Sequence, residues 1–292
     1  MPRPMSSMRV FPTLAAITFA SLAPSALRAQ WPAYPAAGAP KTADGKPNLA
    51  GPVPRTAEGK PDLSGVWQYT RPPSSPEPPA AEDATAAAGA STDVIPASVR
   101  RSQFWNLGAS FPDGLPFQPW AAELHRQRVA TNSKDNPDAH CLPLGVMQLH
   151  THGQPRKMIQ TPGLIVILYE ANGGVRQIFT DGRALPKDAE PWWFGYSVGK
   201  WEGDTLVVES AGFRDLGWLD VEGSPLTSSG KIIERFRRVD YGHLEIAVTI
   251  DDPKAYTKPW SVTVHQRLMP GEDLIEFVCQ ENEQDARHLS VK

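Results

Sequence analysis

Three glutamates fall in step with apolar residues on segments that read as β-strands: Glu170 with Leu164, Val166 and Leu168; Glu234 with Ile232 and Phe236; Glu276 with Leu274 and Val278. Residues two apart on a strand share a face, so this phasing predicts carboxylates pointing toward the core. A buried carboxylate either finds a cation or shifts its pKa, so a polar spot inside the fold is expected, with Arg176, Arg183 and Arg235 as ion partners. The competing reading leaves these glutamates at wet strand ends or on the outer face of a twisted sheet. Asp181, in Asp181-Gly182-Arg183, and Asp220, after Gly217-Trp218-Leu219, stand where strands meet loops. A carboxylate there either acts as an acid or base, if burial raises its pKa, or caps a turn beside a cation.

His150-Thr151-His152 is the one local pattern with metal-ligand character, because alternate residues of an extended chain project to one side. No third ligand accompanies the pair, so no metal or other cofactor is expected, and exposed or hydrogen-bonded loop histidines are the plainer reading. Trp192, Trp193, Phe194, Tyr196, Trp201 and Trp218 form the densest aromatic region. Such a region suits stacking on a sugar, an aromatic or an isoprenoid ligand, and equally suits core and rim packing. The chain has no Gly-x-Ser-x-Gly elbow, phosphate loop or dinucleotide fingerprint, which argues against serine hydrolases of that type and nucleotide enzymes.

The elements that must position these residues are read from alternation. Residues 163–170 and 175–181 flank Asn172-Gly173-Gly174, a hairpin signal, and residues around 196–201 and 205–209 flank a turn at Trp201-Glu202-Gly203-Asp204. Further strands are expected at 65–69, 231–238, 243–250, 260–267 and 274–280, with Leu244, Ile246, Val248 and Ile250 on one face. Pro119 opens a helix over 119–129 in which Trp120, Leu124 and Gln127 share a face and His125 lies at the surface. Residues 135–163 read as one long irregular stretch, of the kind that often carries function. The expected fold is all-β and mainly antiparallel, a meander barrel or strongly curved sheet of about eight to ten strands with one main helix and a long disordered N-terminal arm.

Arg3 and Arg9 precede an apolar run ending near Leu27-Arg28-Ala29, so residues 1–29 read as a secretory signal peptide, with an anchor helix as the alternative. Residues 30–61 form a Pro- and Gly-rich arm in which TADGKPNLAG, from Thr42, returns as TAEGKPDLSG, from Thr56. Residues 62–292 form a single domain, interrupted by a low-complexity excursion at 71–98 that lacks a repeated apolar face. A periplasmic or secreted address follows, with no membrane span left after signal removal. The net charge of −3, with acids and bases interspersed, excludes the basic stripe that nucleic-acid partners require. In an exported protein Cys141 and Cys279 are free to pair, closing a loop of about 139 residues worth about 4–5 kcal/mol in the chain-entropy model; otherwise they are buried thiols.

Gly65-Val66-Trp67 on the first strand and Thr180-Asp181 after a central strand resemble marks of the lipocalin and calycin group. That resemblance implies an eight-stranded barrel holding a ligand in its lumen. The longer strings DGKPDLSGVW, QIFTDGR and GYSVGKWEGDTLVVES are similar to those of exported bacterial proteins with no assigned activity. The expectation is an exported protein that binds a small apolar or aromatic ligand, with Arg176, Arg183, Trp192, Trp193, Tyr196, Trp218 and Glu234 as contacts. One alternative is a lyase, isomerase or hydrolase on the same scaffold, with Glu170, Asp181 or Glu276 as base; another is an envelope-associated structural domain tethered by the arm.

Overall fold

The computed structural model describes residues 38–71 and 102–281. The expected signal peptide, residues 30–37 of the arm and, past residue 71, the low-complexity excursion lie outside the described residues. Nine strands close into a barrel: β1 (Gly65–Thr70), β2 (Arg156–Thr161), β3 (Leu164–Tyr169), β4 (Val175–Phe179), β5 (Tyr196–Glu202), β6 (Thr205–Ala211), β9 (Lys231–Arg238), β10 (His243–Asp251) and β11 (Trp260–Leu268). A two-residue pair, β7 (Gly217–Trp218) with β8 (Pro225–Leu226), stands apart. The order around the barrel is β1-β11-β10-β9-β6-β5-β4-β3-β2, closed by pairing of β1 with β2.

Closure of nine strands has a geometric consequence. Each antiparallel junction reverses direction, and a ring must return to its starting direction, so an odd ring cannot be antiparallel throughout. Here β4 and β5 supply the one parallel junction, in register only at Ile178 with Ser197 and Phe179 with Val198. Parallel neighbours cannot be joined by a tight turn and need a crossover of about a dozen residues or more. Residues 180–195, which include the aromatic cluster Trp192-Trp193-Phe194, provide it.

Strict alternation sets the inward phase on β9, β10 and β11, where Ile232, Glu234, Phe236, Leu244, Ile246, Val248 and Val264 are all buried. On β3 the inward residues are Ile165, Ile167 and Tyr169, the phase opposite to the one expected from Glu170. The run Leu164–Tyr169 is apolar at every position, so periodicity alone does not decide its face. The long irregular stretch contains β2 and a short helix; neither was expected there. Among the described residues the α-helices are α1 (Pro119–Ala130) and α2 (Val146–Thr151), and every residue of α2 is buried. On α1 the covered stripe is Ala121, Leu124, His125, Arg128 and Val129, while Trp120 is exposed and His125 stacks on Phe117. The strand expected at 274–280 does not form. That segment runs irregularly and is held by Lys157 to Asp273 (2.8 Å), by the Ile275 amide donating to Glu170 Oε2 (3.1 Å) and by a disulfide between Cys279 and Cys141.

The two copies of the repeat fold into the same turn. Thr42 N–H donates to Lys46 O and Asn48 N–H to Pro40 O; fourteen residues on, Thr56 N–H donates to Lys60 O and Asp62 N–H to Pro54 O. Arg55, at the second copy, makes a bidentate pair with Asp204 at the β5–β6 turn (2.9 and 2.7 Å), so the arm is pinned to the barrel. Trp67 is wholly buried, donates Nε1–H to Leu63 O (2.9 Å) and lies under the Arg238 guanidinium at 4.9 Å.

Candidate functional site

At the parallel seam, the ladder is so short that Val175–Gln177 has no strand partner on the β5 side, and a pocket of about 580 Å³ opens there. Its walls are the outward residues of β4 and β5, Val175, Phe179, Tyr196 and Val198 among them, together with the crossover residues Arg183, Trp192, Trp193 and Phe194. The crossover is fixed by backbone pairing: Trp192 N–H donates to Gly212 O (3.0 Å) and Arg214 N–H to Trp192 O (3.0 Å). Gly195 takes φ +60°, where a side chain is strained, and a Cβ there would stand 2.6 Å from Ala211 O. Trp192 stacks on Tyr196 with ring centroids 4.3 Å apart, and Arg214 lies over Trp193 at 5.0 Å, so the aromatic walls are braced.

Arg176 and Ser197 border the inner side of this pocket, and their side chains turn into the barrel. Arg176 donates to Glu234 through both terminal nitrogens, one at 2.9 Å to Oε1, and also to Ser197 Oγ (3.1 Å) and Ser210 Oγ (2.9 Å). The two serine hydroxyls meet at 2.8 Å, and His150 Nε2 lies 2.6 Å from Glu234 Oε1. All five residues are shut off from solvent. Burial pushes the Glu234 carboxyl up, but the Arg176 charge, its hydrogen bonds and the His150 contact outweigh that and hold it at about 2. Burial lowers the His150 pKa despite Glu234, so His150 is neutral and its Nε2–H donates. Arg156, also buried and lowered to about 10 by desolvation, donates to the His150 and His152 carbonyls (2.8 and 3.1 Å) and thereby caps the end of α2. The barrel interior beside this network is filled by Trp67, Met158, Ile167, Phe236 and Val248, each under 2% exposed.

The structure brings together Arg183, Trp192, Trp193 and Tyr196 in the pocket, with Arg176 and Glu234 behind it. Trp218 does not line this pocket: it is buried beneath the Arg128 guanidinium, which lies 4.2 Å from its ring, against α1's covered stripe. Among the described residues no hydrogen bond or ion pair links the side chains of Glu170, Asp181 and Glu276. Glu170 follows the end of β3 and accepts from Ile275, Asp181 pairs with Arg183 at the surface, and Glu276 is exposed on the irregular C-terminal segment. Arg235 pairs with Glu202 on the outer face (3.0 Å), and Asp220 is buried as the acceptor for the Leu107, Gly223 and Ser224 amides. His150 and His152 part company because α2 is helical and His152 is its C-cap. Among the described residues no group of three or more His, Cys, Asp or Glu side chains could hold a metal ion. The serines at 197 and 210 were not singled out from sequence; their signal was a small polar residue on an inward strand phase.

The class these features define is a closed, mixed, nine-stranded barrel with a disulfide-tied C-terminal segment and an aromatic pocket at its one parallel seam. No protein-family model matches the chain, and no curated protein matches it at a significant level.

Proposed function

We propose that this is an exported β-barrel protein that binds a small apolar or aromatic molecule, in the manner of a lipocalin-like carrier but at the seam pocket rather than deep in the lumen. The observation that carries the reading is the pocket itself. Its volume of about 580 Å³ lies within the range of small-molecule sites, and Phe179, Trp192, Trp193, Phe194 and Tyr196 give it the mainly apolar, aromatic lining that such sites have. The lumen is a poorer host, because large side chains and the Arg176–Glu234–His150 network occupy it. The disulfide and the signal-like N-terminus support export. Tryptophan fluorescence of the mature protein, titrated with naphthalene-sized probes, tests the reading. Saturable quenching that disappears in Trp192→Ala/Trp193→Ala, with the probe recovered unchanged, is the expected result. Quenching that persists in the double variant would place binding elsewhere, and conversion of the probe would make the protein an enzyme.

A further inference from the structure

We infer that the ligand of the seam pocket carries a carboxylate, and that Arg183 receives it by exchanging its partner Asp181 for the ligand. This rests on the seam pocket being the ligand site. Among the described residues, the charged side chains in the pocket lining are Arg176 and Arg183, and no carboxylate lines it. Arg176 is committed, since Glu234, Ser197 and Ser210 take its donors inside the barrel. Arg183 is not. Its guanidinium carbon lies over the Phe179 ring, 3.8 Å from the centroid, against the pocket wall, and its side chain is half exposed. Asp181 holds Nε at 2.9 and 3.0 Å and Nη2 at 2.6 Å, while Nη1 has no hydrogen-bond partner among the described residues.

An arginine fork matches a carboxylate through two parallel N–H donors, which is more selective than a point charge. The competing pair with Asp181 is a surface pair between residues two apart, and exposed pairs of this kind contribute little. A carboxylate brought in on an aromatic body meets the same guanidinium with the ligand's own ring set against the aromatic walls, and the water that ring displaces makes the attraction larger. Aromatic walls with a half-exposed arginine fork at their edge thus select a monoanionic aromatic or apolar acid over its neutral counterpart.

The test is calorimetric titration of the mature protein with 2-naphthoate and with 2-naphthalenemethanol, which share a ring system and differ in charge. The acid is expected to bind about tenfold more tightly than the alcohol, a ratio in keeping with one charge-assisted contact. Arg183→Met should erase the preference while leaving alcohol affinity within about twofold. Asp181→Asn, which removes the competitor, should tighten the acid alone. Equal affinities in the wild type, or a preference that survives Arg183→Met, would overturn the carboxylate inference and leave the pocket reading standing. Failure of both compounds to bind would overturn both. Arg183 is half exposed, so unchanged melting of the variants is expected and separates lost binding from lost folding.

Discussion

Replacing Glu234 by glutamine should reveal how far the barrel depends on the charge network behind the pocket. Glu234 is fully buried and accepts from Arg176 and His150, and its carboxyl is held at about 2 against an ordinary 4.5. The folded value lies below the unfolded one, so as pH falls the unfolded chain binds the proton first. The stabilisation is therefore complete above about pH 4.5 and is lost as pH falls toward 2, amounting in all to about 3 kcal/mol, with about 2 kcal/mol gone by pH 3. At pH 7, Glu234→Gln leaves the Arg176 guanidinium buried without a counter-ion, which costs about 3–5 kcal/mol. Urea unfolding of wild type and variant, followed by tryptophan fluorescence at pH 7, 5, 4 and 3, checks this. Comparing the two proteins cancels the other titrating groups, and their gap should narrow steadily below pH 4.5. A gap under about 1 kcal/mol at pH 7, or one unchanged at pH 3, would refute the account of Glu234 as an ionised buried partner.

Two further substitutions probe what holds the site and its surroundings. Gly195→Ala forces a side chain into φ +60° and sets a Cβ 2.6 Å from Ala211 O, so thermal melting should fall, with about 1–2 kcal/mol lost to the left-handed backbone alone, and naphthalene probes should bind more weakly because the crossover shifts. Normal melting and normal binding together would show that the crossover adapts. Cys141→Ser opens a covalent loop spanning a sequence separation of 138 residues, so stability should drop by up to about 4–5 kcal/mol and hydrogen exchange in 270–281 should quicken, as measured by mass spectrometry against the oxidised wild type. Unchanged exchange there would mean that the Lys157–Asp273 and Glu170–Ile275 contacts hold the segment without the bridge.

What was legible in the sequence follows the strength of the alternation. The hairpins at β3–β4 and β5–β6 and the strands β9, β10 and β11 carry clear turn residues or a marked period two, and Glu234 was correctly phased because Ile232 and Phe236 stand two residues to either side of it while Arg235 and Arg237 mark the outer face. Glu170 was not, because Leu164–Tyr169 is uniformly apolar and the chain leaves the strand for a 3-10 turn at Ala171–Gly173 before Glu170 could extend the pattern. At Glu276 the alternation of Leu274 and Val278 competes with tertiary ties, and the disulfide and the Asp273 and Ile275 contacts impose an irregular path that leaves Ile275, Phe277 and Val278 exposed. The helix α2 was hidden among prolines: six residues are too few to show a helical period, and its stability comes from burial and from Arg156 rather than from propensity.

The aromatic lining of the seam pocket was legible as residue type, but its place in the fold was not, because that place is a property of strand number. Eight strands would close antiparallel all the way round, and a turn of a few residues could then join β4 to its neighbour. The ninth strand forces one parallel junction, the junction forces a crossover, and the short ladder between Ile178–Phe179 and Ser197–Val198 leaves β4 open on that side. A long connection over an open strand edge would ordinarily expose apolar surface. Here Trp192, Trp193 and Phe194 line the pocket at that edge, with Trp192 itself exposed, and they are braced by Tyr196, Arg214 and the Gly212 backbone. Beneath them the edge is stiffened from within, since Arg176 on β4 and Ser197 on β5 are tied to each other and to Glu234 on β9 across the barrel. The ion network therefore closes mechanically the seam that backbone pairing leaves open, and weakening it should be felt first at the aromatic walls of the pocket.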